Sequence, residues 1–195
     1  MRCLTKLLPL AALLVIPGSS NASLAGHPPC YGGKTVAKNR QVRVYLKHPK
    51  SDDPRLIACR IADSKRRTLL KEHDTGFRDT RTLHGIVTLN GPAVGYEKRV
   101  EHVASDGPSD VTLHSWSAKT LKRRLATPVR HADTIELVVT RKGALAWTEV
   151  GGGGVFAIDA EGVRTLDTGA VHDLGVETTI VSWFNGDEER FARLN

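Results

Sequence analysis

Short apolar stretches that alternate with polar residues follow one another along most of the chain after residue 25. One recurring unit combines an alternating apolar stretch, a polar turn and a basic stretch that ends in leucine. Alternation with a period of two is typical of half-buried strands, and the turn residues between such stretches predict hairpins. The unit occurs three times, at residues 55–70, 111–125 and 155–166.

A second type of hairpin alternates with the first. Apolar stretches flank turns at residues 90–92 and 141–143, and the pattern returns at residues 174–183. Two hairpins make four antiparallel strands in roughly 40 to 45 residues, which is the period of a β-propeller blade. We therefore predict an all-β fold of propeller-like antiparallel repeats, with about four blades or as an open propeller fragment. A twisted β-sandwich is the alternative.

Two of the predicted units are complete, at residues 83–130 and 131–170. Near the end of the chain, Asn185-Gly186 is a strong hairpin signal because both residue types tolerate positive φ. Residues 190–194, after this turn, are expected to form an edge strand. A ring would close if the stretch at residues 41–46 completed the last blade.

One repeat carries a resemblance to known proteins. Residues 144–147 read Ala-Leu-Ala-Trp, and Val-x-x-x-Asp-x-x-Gly-x-x-x-Leu-Asp-x-Gly follows at residues 155–169. This pattern resembles the repeats of TolB-like and WD40-like propellers. Over about residues 40–195, the chain also resembles short exported β proteins of unknown function that are numerous in some soil actinobacteria. The resemblance implies a repeat-built sheet structure, and that family has no assigned catalytic residues.

The first 25 residues differ from the rest of the chain. Arg2 and Lys6 are followed by an apolar run from residue 7 to residue 16 and by small residues up to Ala25. This run is too short for the roughly 20 residues that span a bilayer, and the pattern is typical of a signal peptide cleaved after Ala25. We expect residues 1–25 to be removed and residues 26–195 to form one secreted or extracytoplasmic domain with no membrane span.

The charge of the chain changes this picture little. Arg2 and Lys6 account for two of the seven net positive charges, which leaves +5 for residues 26–195. The basic clusters at residues 65–67, 122–124 and 141–142 are predicted at turns and solvent-facing positions, where charge keeps a surface hydrated. No aromatic residues interleave with them as single-strand binding requires, so we expect no nucleic-acid partner.

Cys30 and Cys59 are the two cysteines that remain after residue 25. In an oxidising compartment such a pair indicates a disulfide. It would tether an N-terminal segment, residues 26–40, to the first clearly predicted strand. A metal pair or a catalytic thiol would need further partners, and no C-x-x-C motif is present.

Three His/Asp pairs are the strongest candidates for catalysis: His73-Asp74, His131 with Asp133, and His172-Asp173. All three are predicted in turn-rich stretches, and no nucleophile or metalloenzyme motif accompanies them. The glycine run at residues 151–154 precedes a predicted strand rather than a helix, so it is interpreted as a flexible connection. The acidic turns at residues 106–110 and 159–162 lack the ligand spacing of a calcium loop. We predict no catalytic residue, no cofactor and no metal.

The three tryptophans are assigned different roles. Trp147 and Trp183 occupy equivalent strand positions, which favours core packing. Trp116, beside a turn, is predicted to be the exposed one and is the candidate ligand contact.

These observations favour an exported, non-catalytic binding or scaffold module whose loops contact a protein or a cell-envelope polymer. One alternative is a secreted hydrolase of carbohydrate or peptide that uses carboxylates such as Asp133, Glu149 or Asp173. Another alternative is a structural β fragment that completes its sheet by dimerising. The sequence names no ligand.

The disulfide can be tested by mass. We expect the secreted chain to take up no alkylating agent until it is reduced, and then to alkylate at Cys30 and Cys59, because a disulfide leaves no free thiol. Uptake of two alkyl groups without reduction would contradict the pairing.

Overall fold

The computed structural model describes residues 30–51, 53–75, 80–102, 109–129, 134–150 and 153–195. The predicted signal peptide, residues 1–25, lies outside the described residues. The described residues form strands joined by turns, and they include no helix. In chain order the strands are β1 (Lys34–Lys38), β2 (Val42–Lys47), β3 (Arg55–Arg60), β4 (Arg66–Lys71), β5 (His73–Thr75), β6 (Thr80–Asn90), β7 (Ala93–His102), β8 (Asp110–Ser117), β9 (Lys122–Pro128), β10 (Thr134–Val139), β11 (Leu145–Glu149), β12 (Gly154–Asp159), β13 (Gly162–Thr168), β14 (Val171–Glu177), β15 (Ile180–Asn185) and β16 (Glu188–Arg193).

The strands form four sheets that follow one another along the chain. Sheet A contains β1 to β4, sheet B β5 to β9, sheet C β10 to β13 and sheet D β14 to β16. Within each sheet, consecutive strands pair antiparallel, so every sheet is a simple meander. The prediction of an all-β fold built from antiparallel repeats is confirmed, and the arrangement fits an open propeller-like fold or a sandwich.

Each sheet buries a face against the next sheet in the chain. Three hydrophobic clusters join sheets A and B, B and C, and C and D, and each contains one tryptophan: Trp116, Trp147 and Trp183 respectively. The exposed fraction of all three side chains is 3% or less. The predicted core packing of Trp147 and Trp183 is confirmed. The predicted exposure of Trp116 is wrong, because sheet A covers this residue.

Sheet C has two buried faces because it lies between two other sheets. All five residues of β11 are buried. Leu145 and Trp147 face sheet B, while Ala146 faces sheet D. Gly95 of β7 lets sheet C approach, since a Cβ at this position would lie 3.0 Å from a methyl carbon of Leu145. The lack of a side chain at Gly95 is therefore a packing requirement.

The outer face of sheet A is covered by the N-terminal segment. A disulfide joins Cys30 to Cys59 of β3, as predicted, and the two cysteines pack with Tyr45 and Ile57. Arg43 of β2 donates hydrogen bonds to the carbonyl oxygens of Cys30 and Gly33. The N-terminal segment, residues 26–40, which the sequence predicts to be tethered by the disulfide, also contributes strand β1 to sheet A.

The stretch at residues 41–46 does not complete the last sheet. It forms most of β2, which pairs with β1 and β3 in the middle of sheet A. Among the described residues, no hydrophobic cluster joins sheet D to sheet A. The four sheets therefore form an open row in this part of the chain.

The last strand lies at an edge, as predicted, since β16 pairs with β15 alone in sheet D. The hairpin before it is also confirmed, with a shift of one residue. Asn185 pairs with Glu188, so that Gly186 and Asp187 form the loop, and Gly186 has the positive φ of 62°. No helix in the described ranges has the length and apolar character needed to cross a membrane.

Packing between sheets predicts where truncation destabilises the protein. Leu145→Ala removes a fully buried side chain between sheets B and C, so we expect the free energy of unfolding to fall by about 2 to 5 kcal/mol in urea denaturation. Val163→Ala, at an exposed position of the same sheet, is expected to cost less than about 1 kcal/mol. Equal losses for the two variants would contradict this packing.

Candidate functional site

Alternate turns of the four sheets meet at one end of the molecule, because in a meander every second turn returns to the same end. Hydrogen bonds between sheets establish this proximity: the Asn39 side chain donates to the Gly91 carbonyl (2.8 Å), and Arg60 donates to the Ala118 carbonyl (2.9 Å). The Arg141 amide donates to the Thr178 carbonyl. We call this end the turn rim; it consists of the turns at residues 39–41, 61–65, 91–92, 118–121, 140–144, 160–161 and 178–179.

The three basic clusters of the sequence all lie at the turn rim. Residues 65–67 and 122–124 begin the return strands of their hairpins in sheets A and B, and residues 141–142 lie in the first turn of sheet C. All eight side chains are exposed, as the sequence predicts. The Arg124 guanidinium donates to the Lys142 carbonyl and so joins two of the clusters. The rim therefore concentrates positive charge.

Arg60 fixes the rim between sheets A and B. Its guanidinium contacts both carboxylate oxygens of Asp63, at 2.8 and 2.6 Å, and donates to the carbonyl oxygens of Ala118 and Lys119. The hydrogen bond from Arg60 holds the pKa of Asp63 well below its usual range. Arg60 is thus neutralised by Asp63, and its role is to hold two turns together.

A cavity of about 400 Å³ opens at the turn rim between sheets A and B. Its wall is mostly apolar, and its lining includes the exposed cations Arg40, from a turn of sheet A, and Lys119, from a turn of sheet B. Four turns contribute to it, so no single sequence motif marks it. The lining residues are Arg40, Gln41, Arg60, Ile61, Ala62, Pro92, Ala118 and Lys119.

Trp116, the candidate ligand contact, does not reach this surface. Its exposed fraction is 2%, and it packs among the residues that join sheets A and B. Its position next to a turn is real, but Ala118 and the facing sheet cover the ring. The residues that form the cavity were not singled out from the sequence. The signal that could have found them is the recurrence of basic residues at alternate turns.

Of the three His/Asp pairs, His172-Asp173 is the one whose side chains are described. His172 Nδ1 lies 3.0 Å from Asp173 Oδ2, Nε2 lies 3.1 Å from the Gly186 carbonyl, and the ring stacks on Phe184. Both partners are acceptors, so the protonated imidazolium satisfies both contacts. The hydrogen bond to Asp173, followed by that to Gly186, raises the pKa of His172.

This geometry does not suit a general base, because neither ring nitrogen is left to accept a substrate proton. The pair also lies in strand β14 rather than in a turn, which corrects the prediction. His73 and Asp74 belong to strand β5, again not to a turn, and their side chains lie outside the described residues. His131 and Asp133 lie outside them altogether.

Carboxylates at the rim are occupied by structural contacts. Asp159 accepts hydrogen bonds from Arg164 at 2.8 and 2.9 Å, and from the amides of Glu161 and Asn195. Burial alone would raise the pKa of Asp159, but these hydrogen bonds hold it below its usual value. Within the described ranges, no group of three or more His, Cys, Asp or Glu side chains is placed to hold a metal ion.

No protein-family model matches the chain, and neither a curated protein nor a solved structure matches it. The resemblance to exported propeller-like proteins therefore stays a prediction from the repeat pattern.

The His172 contact can be tested by NMR titration. We expect the pKa of His172 to lie above the ordinary value of about 6.5 and to fall in Asp173→Asn, because the variant removes the carboxylate. Asn tolerates the positive φ of 55° at this position. The raised pKa means that the contact stabilises the fold at acidic pH and loses this effect as pH rises through the folded-state pKa. An unchanged titration in the variant would contradict the assignment.

Proposed function

We propose that the protein is an exported, non-catalytic binding or scaffold module, and that its turn rim binds a partner protein segment in which acidic residues flank an apolar side chain. The observation that supports this is the position of the apolar cavity within the basic rim. Export is supported by the signal pattern of residues 1–25 and is in keeping with the Cys30–Cys59 disulfide.

The chemistry of the rim selects the partner. A cavity of about 400 Å³ has the size of a small-ligand pocket, and its apolar wall gains free energy by burying one apolar side chain. Arg40 and Lys119 stand at its margin with charges that Asp63 does not neutralise, because Asp63 is bound to Arg60. Carboxylates of the partner on either side of the apolar residue complement these charges.

The hydrolase alternative receives less support from the site geometry. Glu149 and Asp173 are the carboxylates of that alternative whose positions are described. Glu149 is buried at the end of β11, whereas Asp173 is exposed on β14 and does not line the cavity that Glu149 lines. A glycosidase needs its two carboxylates about 5 to 10 Å apart across one cleft.

Dimerisation through an edge is likewise the weaker alternative. Strand β16 offers an unpaired edge with Phe191 74% exposed, which is the feature that favours it. The same strand carries the charged residues Glu188, Glu189, Arg190 and Arg193, and charges on an edge strand oppose pairing with a second chain.

Binding at the rim predicts a charge-dependent and apolar-dependent interaction. We expect a fluorescent peptide of glutamates around one leucine to bind residues 26–195 in an anisotropy titration, and Arg40→Ala/Lys119→Ala to weaken it about five- to tenfold. Replacing the leucine by serine in the peptide should weaken binding further, because the cavity then buries no apolar side chain.

The matched control is Lys47→Ala/Lys50→Ala, which removes the same charge at the opposite end of sheet A. It should leave affinity unchanged at physiological ionic strength, where exposed charges act over about 8 Å. Equal losses in both double variants, or equal affinity for the serine peptide, would reduce the interaction to nonspecific attraction of polyanions. If an acidic polysaccharide bound more tightly than the peptide, and if this binding also depended on Arg40 and Lys119, the partner would be an envelope polymer instead of a protein segment.

A further inference from the structure

A second cavity lies between sheets B and C, toward the end of the sheets opposite the turn rim. Its volume is about 200 Å³, and Glu149, the last residue of β11, forms part of its wall. Its wall combines one carboxylate, one arginine, two aromatic residues and small apolar or hydroxyl side chains. The other lining residues are Pro128, Trp147, Phe156, Val163, Arg164 and Thr165.

The carboxylate of Glu149 is only half satisfied. Oε1 accepts a hydrogen bond from the Trp147 indole N–H at 2.7 Å, whereas Oε2 is buried and has no hydrogen-bond partner among the described residues. The exposed fraction of the whole residue is 5%. A buried carboxylate oxygen without a hydrogen-bond partner or a compensating charge is costly. The Oε2 side of Glu149 is therefore the part of this cavity that calls for a partner.

The neighbouring cation does not supply that partner. Arg164 lines the same cavity, but both of its terminal nitrogens bind Asp159, at 2.8 and 2.9 Å, and one also contacts Glu161. Its charge is thus balanced within sheet C. Glu149 remains the carboxylate of this cavity that no described side chain neutralises.

The aromatic rings favour an organic cation. Trp147 and Phe156 stack with their ring centroids 5.9 Å apart, and the half-buried Phe156 lies at the cavity. Aromatic faces attract ammonium groups, especially where water is displaced. One carboxylate and two rings are a poor ligand set for a metal ion, which prefers several oxygen, nitrogen or sulfur ligands.

We propose that this cavity binds an alkylammonium group, with Glu149 as the counter-charge and Phe156 and Trp147 as the aromatic wall. The volume is below the usual range of about 300 to 1,000 Å³ for drug-sized ligands, so it suits a single amino-alkyl chain. A free primary amine and the side chain of a lysine share this chemistry. The cavity is separate from the turn rim, and its ligand has the opposite charge.

The test follows the Trp147 indole N–H by NMR during titration of residues 26–195 with n-butylammonium. We expect a saturable shift with a dissociation constant in the millimolar range, and no comparable shift with the neutral isostere n-butanol. Trp147→Phe identifies the resonance. Titration with capped lysine amide distinguishes the sources: binding of both probes indicates a lysine side chain, and binding of butylammonium alone indicates a free amine.

Glu149→Gln is the decisive variant. The amide oxygen of glutamine can still accept the indole hydrogen bond, so the variant keeps the structural contact and removes the charge. We expect butylammonium to bind it at least about tenfold more weakly, while thermal stability without ligand is unchanged or higher. Glu189→Gln, at an exposed position of sheet D, should bind like the unaltered chain.

Equal shifts with butylammonium and butanol, no shift with either probe, or unchanged affinity in Glu149→Gln would overturn the proposal. The comparison of the two probes requires no variant, so it decides the question even if Glu149→Gln fails to fold. Arg40→Ala/Lys119→Ala should leave amine binding intact. Failure of the amine-binding proposal and failure of the turn-rim proposal can therefore be distinguished.

Discussion

The stacking of each sheet on the next is the interaction on which the rest of this structure depends. A sheet with two apolar faces is stable only when both faces are covered, and sheets B and C have such faces. Neither would be stable alone, because a single sheet leaves its apolar faces exposed to water. Close approach requires small residues at the contact, as Gly95 shows between sheets B and C. The tryptophan in each interface supplies a large share of the buried area.

This dependence explains what the sequence reveals and what it conceals. Turn residues and alternation are local signals, so the hairpins, the all-β class and the edge position of β16 can be predicted. Which strands pair across longer distances is not local. Residues 41–46 have a strand pattern that is compatible with any of the sheets, and only the apolar contacts on both faces of the strand place it in sheet A. Trp116 shows the same limit, since its cover comes from another sheet.

The candidate sites likewise combine features that are local in the sequence with features that arise only from the fold. The exposure of the basic clusters follows from composition, but their convergence follows from the meander, which brings alternate turns to one end. The cavity at the turn rim draws on four turns and has no motif. Glu149 is visible in the sequence as one acidic residue among many, and its unusual character arises from burial beside Trp147. The difference in charge between the two cavities, one beside cations and the other beside the carboxylate of Glu149, thus arises from the fold.

The disulfide gives the row of sheets two unlike ends. Sheet A is tied covalently to its own covering segment, whereas sheet D has three strands and one apolar cluster with its neighbour. In a row where each member depends on its neighbours, cooperative opening begins at the member with the fewest contacts. Local unfolding should therefore start at sheet D and proceed inward. The cavity of the turn rim lies between sheets A and B, the last two sheets to open in this order, so it keeps its shape while sheet D fluctuates. Binding of the proposed partner would then cost little entropy for ordering the cavity.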